Sequence, residues 1–305
     1  MSNFRAYLSL MRPPNLLTAL ADILAGFAAA AALQHTVGNE VFGFIRHDLP
    51  WVNLGLIGIA SMCLYAGGVV LNDFFDADLD QLERPERPIP TGQVSRFRAA
   101  LMGGILLILG VVLAFLSDPI SGWIALGVGV LVLLYDAITK KNNFLGPLNM
   151  GLCRGGNLLL GISIFPQQVV TIGFLVIIPI IYISAITLVS RGEVHGGRKA
   201  SFNIALVMYL LTVAMVLSLG VLNEFEVLNS LIYLAFLLLI VLPPLFRARR
   251  TNDPSMIGVA VKYGVLGLII LNAAVASGFA GWFFGLLLLI LLPFSTLLAK
   301  LFAVT

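Results

Sequence analysis

Apolar residues run along this chain in long unbroken blocks, and its polar residues collect between the blocks instead of alternating with them. Leu54 to Leu71, Ile172 to Val189 and Val227 to Leu245 show the pattern. Each block is long enough, as a helix, to cross a hydrocarbon core of about 30 Å. A buried helix of a soluble protein can be as apolar once. A chain in which nearly every segment reads this way is an all-α, polytopic membrane protein. Ten segments are predicted, at 16–33, 53–72, 99–117, 120–135, 147–165, 169–189, 203–222, 227–246, 257–278 and 281–300. The split near Gly278 to Gly281 decides the count. One long bent helix there gives nine spans, whereas Lys300 at the far end favours ten.

The connections have a sided charge. Those after segments 2, 4, 6 and 8 carry Arg84, Arg87, Arg96 and Arg98, then Lys140 and Lys141, then Arg191, Arg198 and Lys199, then Arg247, Arg249 and Arg250. Connections after segments 3, 5, 7 and 9 contain no Lys or Arg, and the first has only Arg46. The positive-inside rule therefore predicts both termini and the longer loops on the cytoplasmic side. An integral protein of a bacterial inner (cytoplasmic) membrane is expected, formed as a single domain over residues 1–305. Function resides in loops held by a rigid scaffold, so the active site is expected at that face.

Composition changes this picture only at its edges. Hydrophobic residues make up 59% of the chain and charged ones 11%, against about 25% charged in soluble domains. The net charge of +3 is spread out, which gives nucleic-acid binding no support. Cys63 and Cys153 both fall inside apolar blocks, so no disulfide framework is read from them. The Leu16 to Leu33 block is long for a signal peptide and reads as an uncleaved first helix.

The polar residues that carry chemistry gather after the second segment, in NDFFDADLDQLERPERPIPTG from Asn72 to Gly92. Six of the fifteen acidic residues lie there. On a helix continued past the membrane surface, Asn72, Asp76 and Asp80 share one face at four-residue spacing. Like charges so placed repel, and a divalent cation reverses that sign. Magnesium suits hard oxygen donors, takes one or two carboxylates and leaves positions for water and substrate phosphate oxygens. Arg84-Pro85 and Arg87-Pro88, followed by Ile89-Pro90-Thr91-Gly92, form a stiff return. Arginine there suits bidentate contact with phosphate. Carboxylates on one side and guanidinium on the other suit a diphosphate; the plainer readings are a solvated acidic loop and basic residues that merely flank a span.

The motif NDxxDxxxD with RPxRPIPxG resembles the UbiA superfamily of intramembrane prenyltransferases. The opening Arg12-Pro13-Pro14-Asn15-Leu16-Leu17 resembles that family's start, and Tyr135 with Lys140 or Lys141 resembles its tyrosine–lysine element, one residue longer than usual. The resemblance implies a transmembrane bundle of 9–10 spans around a central cavity open to the cytoplasmic side and laterally to lipid. It implies magnesium-dependent transfer of a prenyl group from a polyprenyl diphosphate to a small or lipid-like acceptor. Carried over residue by residue, Asp76, Asp80 and Lys140 are catalytic, and Asn72, Asp76, Asp80 and Glu193 hold metal. Arg87, Lys140, Arg12 and Arg198 bind diphosphate. Asn15, Asp22, Asp73, Tyr135, Arg154 and Asn157 are assigned to the substrate cavity.

The chain departs from the family after the sixth segment, where a second acidic cluster is usual. Here the stretch reads Ser190-Arg191-Gly192-Glu193-Val194-His195-Gly196-Gly197, with Gly197 where a second carboxylate is expected. His195 is a soft ligand for magnesium and reads as a surface loop residue. This variant resembles the UbiA-like members of bacterial ebo operons. It supports an alternative: a non-catalytic or reassigned protein that binds an isoprenoid diphosphate or aids metabolite export, with pathway proteins among its partners. A third class, an ion transporter, needs acids deep in several spans, whereas these lie at one edge. Arg154 and Asp22 are charges inside spans, functional by default in a bilayer, with structural pairing as the competing reading, whereas Lys262 in the ninth segment can snorkel to the cytoplasmic surface.

Overall fold

The computed structural model of the chain describes residues 3–35 and 50–302, and Arg46 lies outside them. Among the described residues every regular element is helical. A short helix α1 (Asn3–Leu10) precedes α2 (Pro13–His35), α3 (Trp51–Phe75) and the short α4 (Ala77–Glu83). Then come α5 (Arg96–Ser117), α6 (Pro119–Ala137), α7 (Leu145–Ile162), α8 (Gln168–Ile172), α9 (Ile177–Ser190) and α10 (Lys199–Ser218). The chain ends in α11 (Val227–Thr251), α12 (Pro254–Ala280), α13 (Trp282–Leu289) and α14 (Leu291–Leu301).

Local chemistry sets several boundaries. Asp118-Pro119 opens α6 and Asp253-Pro254 opens α12. In each, the aspartate side chain accepts the backbone N–H two residues on, at 2.7 and 3.0 Å, and proline takes the first helical position. The predicted sixth segment is interrupted by a tight turn at Gly173–Val176, between a glycine of low helix propensity and Pro179. Gly281, at φ 85°, separates α12 from α13 and confirms the predicted split.

Nine helical stretches among the described residues are long and apolar enough to cross a membrane, from Pro13–Gln34 to Trp282–Leu301. The predicted fifth segment, α7, is not among them because it carries Asn149, Arg154 and Asn157. It is interior, packed on α2, α3, α6 and α9. The crossing of α2 and α7 is close enough to exclude side chains. A Cβ on Gly26 would lie 2.4 Å from the Leu158 carbonyl oxygen, and one on Gly161 equally near that of Ile23. Small residues let membrane helices approach this way without a hydrophobic driving force.

Helix α2 is shared by two groups: it meets α3 and α7 of one and α12 of the other. One group runs α3, α5, α6, α7 and the other α9, α10, α11, α12, neighbour against neighbour. Outward faces stay apolar, as with Leu101, Ile105 and Ile108 on α5 or Val207, Leu210 and Leu211 on α10. The two chain ends lie together, since Arg5 donates to the Leu301 carbonyl (2.7 Å) and Ser295 to that of Pro14 (2.9 Å).

Candidate functional site

The acidic motif lies where α3 runs out. Asp76 adopts φ −88° and ψ 1° between α3 and α4, yet the four-residue backbone bonding continues across it. Asp76 N–H bonds to the Asn72 carbonyl (2.9 Å), Asp80 to Asp76 (2.8 Å) and Arg84 to Asp80 (2.9 Å). The side chains then divide. Asp73 and Asp80 turn to one guanidinium, with Arg87 Nη1 at 3.1 and 2.7 Å from their oxygens. Asp73 also accepts from Arg12 Nη2 at 2.9 Å. Asp76 accepts from Lys140 Nζ at 2.5 Å, and Asn72 donates to Asp136 at 2.8 Å. Residues 61 to 64 positions apart are thereby drawn together.

Arg12 reaches Asp73 from a left-handed backbone, φ 49°, in the turn between α1 and α2. For a residue with a side chain that conformation costs about 1–3 kcal/mol and persists where the surroundings over-determine it. Pro13, next in sequence, starts α2 and fixes the turn.

The loop after α9 faces this cluster. Glu193 lies 3.5 Å from Arg84, and the exposed His195 lies 4.0 Å from Glu83. Gly197 N–H is bound by Asn252 at 2.9 Å. Arg198 is exposed at the start of α10 and makes no ion pair among the described residues. Burial raises Asp80 above the ordinary carboxylate value, against the opposing pull of Arg87 and with help from Asp73 and Asp76. Burial likewise raises Glu193, offset by Arg84, Arg12 and Arg87.

Beneath the cluster a cavity of about 240 Å³ runs into the bundle. Arg12 and Asn72 line its motif end, with Tyr135 and Asp136 beside them, and Arg154 and Asn157 line it further in. Asp73 lies outside the lining, as does Asn15, whose carbonyl accepts from Thr18. Asp22 is fully buried and off the cavity, 2.9 Å from Arg154 Nε. Asp136 was not singled out in the sequence, where it reads as the last polar residue of a span. Its Oδ2 is buried without a hydrogen bond among the described residues. The only sequence signal for it was an acid directly after Tyr135.

The donor set suits magnesium. Asn72, Asp76 and Asp80 offer hard oxygens, and with Nδ2 committed to Asp136 the Asn72 amide keeps Oδ1 for another partner. No three acidic, histidine or cysteine side chains converge as a ready cage among the described residues. Four carboxylates are instead matched with cations: Asp73 with Arg12 and Arg87, Asp76 with Lys140, Asp80 with Arg87, and Glu193 with Arg84. Such a set can exchange partners, releasing cations toward an anion as the carboxylates take a metal.

The chain is thus a helical membrane bundle with an acid–cation cluster over an internal cavity. The profile of the UbiA prenyltransferase family matches residues 23–257, and the chain belongs to that family. Among curated proteins, it is 34% identical over 168 residues to a digeranylgeranylglyceryl phosphate synthase of Methanosarcina mazei, covering 54% of this chain and 56% of that protein. The chain thus spans about half the length of the curated relatives it matches. Solved structures share the fold. A UbiA homologue from Aeropyrum pernix superposes with a TM-score of 0.67 at 15% identity, covering 85% of this chain and 96% of that one. One from Archaeoglobus fulgidus, bound to DMAPP and Mg2+, gives 0.61 at 15% identity, covering 86% and 98%.

Proposed function

We propose that this protein, acting as one UbiA-like unit in the membrane, transfers a prenyl group from a polyprenyl diphosphate to an acceptor with magnesium as cofactor. The observation that carries the reading is the matched set of Asp73, Asp76 and Asp80 with Arg12, Arg87 and Lys140, set on the mouth of an apolar-walled cavity. Magnesium, when bound, supplies charge neutralisation for the departing diphosphate. Asn72, Asp76 and Asp80 would hold it. Lys140, Arg87 and Arg12, freed from their carboxylates, then face the phosphate oxygens and stabilise the charge that develops there. The allylic carbon–oxygen bond breaks, diphosphate leaves to these cations, and the acceptor's nucleophile bonds to the allylic carbon, its proton passing to the departing diphosphate. Leu64, Val128 and Val132 wall the space and keep water from that carbon.

The relatives' name supports an acceptor built on glycerophosphate. Sided loop charge supports placing the motif and both termini at the cytoplasmic face of a bacterial membrane. One observation favours a second reading, binding of an isoprenoid diphosphate without transfer. Glu193 is a lone acid, held by Arg84, with Gly197 where a second carboxylate would stand. Assignment to the ebo-operon branch rests on that stretch alone, and the matched relatives carry a different description.

The test is incubation of the purified protein with magnesium, labelled polyprenyl diphosphates of several lengths and a panel of acceptors, with Asp76→Ala alongside. Diphosphate release with a prenylated acceptor is expected from the wild type only. Binding without release, across every acceptor, would establish the second reading instead.

A further inference from the structure

The inner end of the cavity holds a cation that the reaction at the mouth does not use. Arg154 sits mid-way along α7 with its side chain only 8% exposed, and it lines the cavity. Its Nε lies 2.9 Å from Asp22 Oδ2, an ion-pair contact without hydrogen-bond alignment. Nη2 donates to the Thr18 hydroxyl. Tyr65 lies against the guanidinium, 5.4 Å from ring centre to Cζ, and fixes its plane. Nη1 makes no hydrogen bond among the described residues.

Asp22 does not cancel this cation alone. It also accepts from Asn157 Nδ2 at 3.0 Å and Asn272 Nδ2 at 2.6 Å, so its charge is shared among three donors. Asn157 is itself held by Ser61 (2.7 Å) and by its own bond to the Ala19 carbonyl (2.9 Å). A buried network this fully connected keeps the guanidinium in one orientation. The cavity therefore has a guanidinium at each end, Arg12 at the mouth and Arg154 within. Tyr65 precedes Asn72 by seven residues on α3, which puts Arg154 about 10 Å deeper than the motif.

We propose that Arg154 is the anchor for an anionic oxygen, of phosphate or carboxylate, on the acceptor. The remaining N–H groups donate only, so their ligand must present an acceptor oxygen. Charge assistance makes an anionic oxygen the stronger choice. The reaction demands the same sign. An allylic carbon that becomes positive is disfavoured beside a guanidinium whose carboxylate partner is shared with two amides, and an anion seated between the two removes that penalty. This rests on the prenyl-transfer reading for the identity of the bound group as acceptor, but the anion site itself stands without it.

Binding alone decides it. Wild-type protein in nanodiscs would be titrated with a prenylglyceryl phosphate and its dephosphorylated alcohol, and separately with benzoate and its methyl ester. The variants are Arg154→Gln and the paired Asp22→Asn/Arg154→Gln, which leaves no buried carboxylate without its cation and is read where the single variant does not fold. At least one anion is expected to bind about 30-fold more tightly than its neutral counterpart, the ratio of one charge-assisted hydrogen bond, and the variant to lose that preference. The pair that shows it tells phosphate from carboxylate. Equal binding of anion and neutral form by the wild type, or a preference that survives in a folded variant, overturns the site. Prenyl diphosphate binding is measured on the same preparations. Its absence alongside an Arg154-dependent anion preference would reject the prenyl-transfer reading and leave this inference standing.

Discussion

The loops after α3 and after α9 meet at one end of the bundle, through Arg84 and Glu193, but they are built for different work. In the first, carboxylates 73, 76 and 80 are each tied to a cation that another ligand can take over. In the second, one acid stands among glycines, and its neighbour Gly197 spends its N–H on Asn252. A helix end followed by a proline-stiffened return gives a charged site a fixed geometry. A glycine-rich loop with one carboxylate gives it a single ionic contact and little more. On the proposed reading the metal oxygens belong to the first loop, with a single acid, Glu193, opposite.

The largest effect expected from breaking the first loop is on the fold. Arg87 is 11% exposed and serves both Asp73 and Asp80, each 6% exposed. Arg87→Leu leaves Asp73 with Arg12 alone and Asp80 with no ion pair among the described residues, and removal of one partner of a buried pair costs about 3–5 kcal/mol. A large fall in thermal unfolding temperature in detergent is expected, with partial rescue by magnesium, which gives the carboxylates another counter-charge. The matching change in the second loop, Arg84→Leu, breaks a 3.5 Å contact between partly exposed groups and should move the midpoint far less.

Chemistry should show the next largest difference. Asp76→Ala removes a candidate metal oxygen and the partner of Lys140 together. Turnover should fall by roughly 10²–10³-fold, the range for loss of one preorganised charge-stabilising group. Glu193→Gln should lower it by about tenfold or less, since a neutral amide there still meets Arg84. Initial rates at saturating diphosphate compare the two, and equal losses would erase the distinction between the loops.

How much of this could be read from the residues follows from the range of the interactions. The ten segments fall within a few residues of helices because a bilayer demands long apolar runs, a local property. The interrupted sixth segment was hidden, since its interruption at Gly173 keeps the run apolar throughout. The spacing of Asn72, Asp76 and Asp80 was legible, but the division of their side chains was not. It depends on Arg12, Asp136 and Lys140, which arrive from other segments of the chain. Asp136 went unnoticed for the same reason: an acid at the end of a span looks solvated until a neighbouring helix covers it. The short α1, which sets the strained turn at Arg12, also lies outside what a hydropathy pattern can show.

Restoring the missing acid sharpens the comparison from the other side. A Cβ on Gly197 would lie 2.8 Å from the buried ring of Phe202. Gly197→Asp should therefore overpack the loop, at about 1–3 kcal/mol, and should not raise magnesium affinity. A second magnesium equivalent bound by this variant, counted by equilibrium dialysis, would show that the loop lacks only a carboxylate and not the room for one.

The smallest effect is on protons, and it separates the loops by their partners. Burial raises Asp80 above 3.8 and Glu193 above 4.5. A carboxyl raised in the folded state contributes stability that is fully present below its unfolded value and is lost as pH rises through the folded one. The metal-free fold should thus gain slightly as pH falls through the region just above these values. Magnesium acts in the opposite direction, since it needs the ionised form. Its binding should release protons there, measurable by calorimetry in two buffers of different ionisation enthalpy. Asp80→Asn should remove most of that release, because Asp80 is a proposed metal ligand. Glu193→Gln should remove little, because Glu193 answers to Arg84. Equal losses in the two variants would place Glu193 on the metal and make the second loop a working partner of the first.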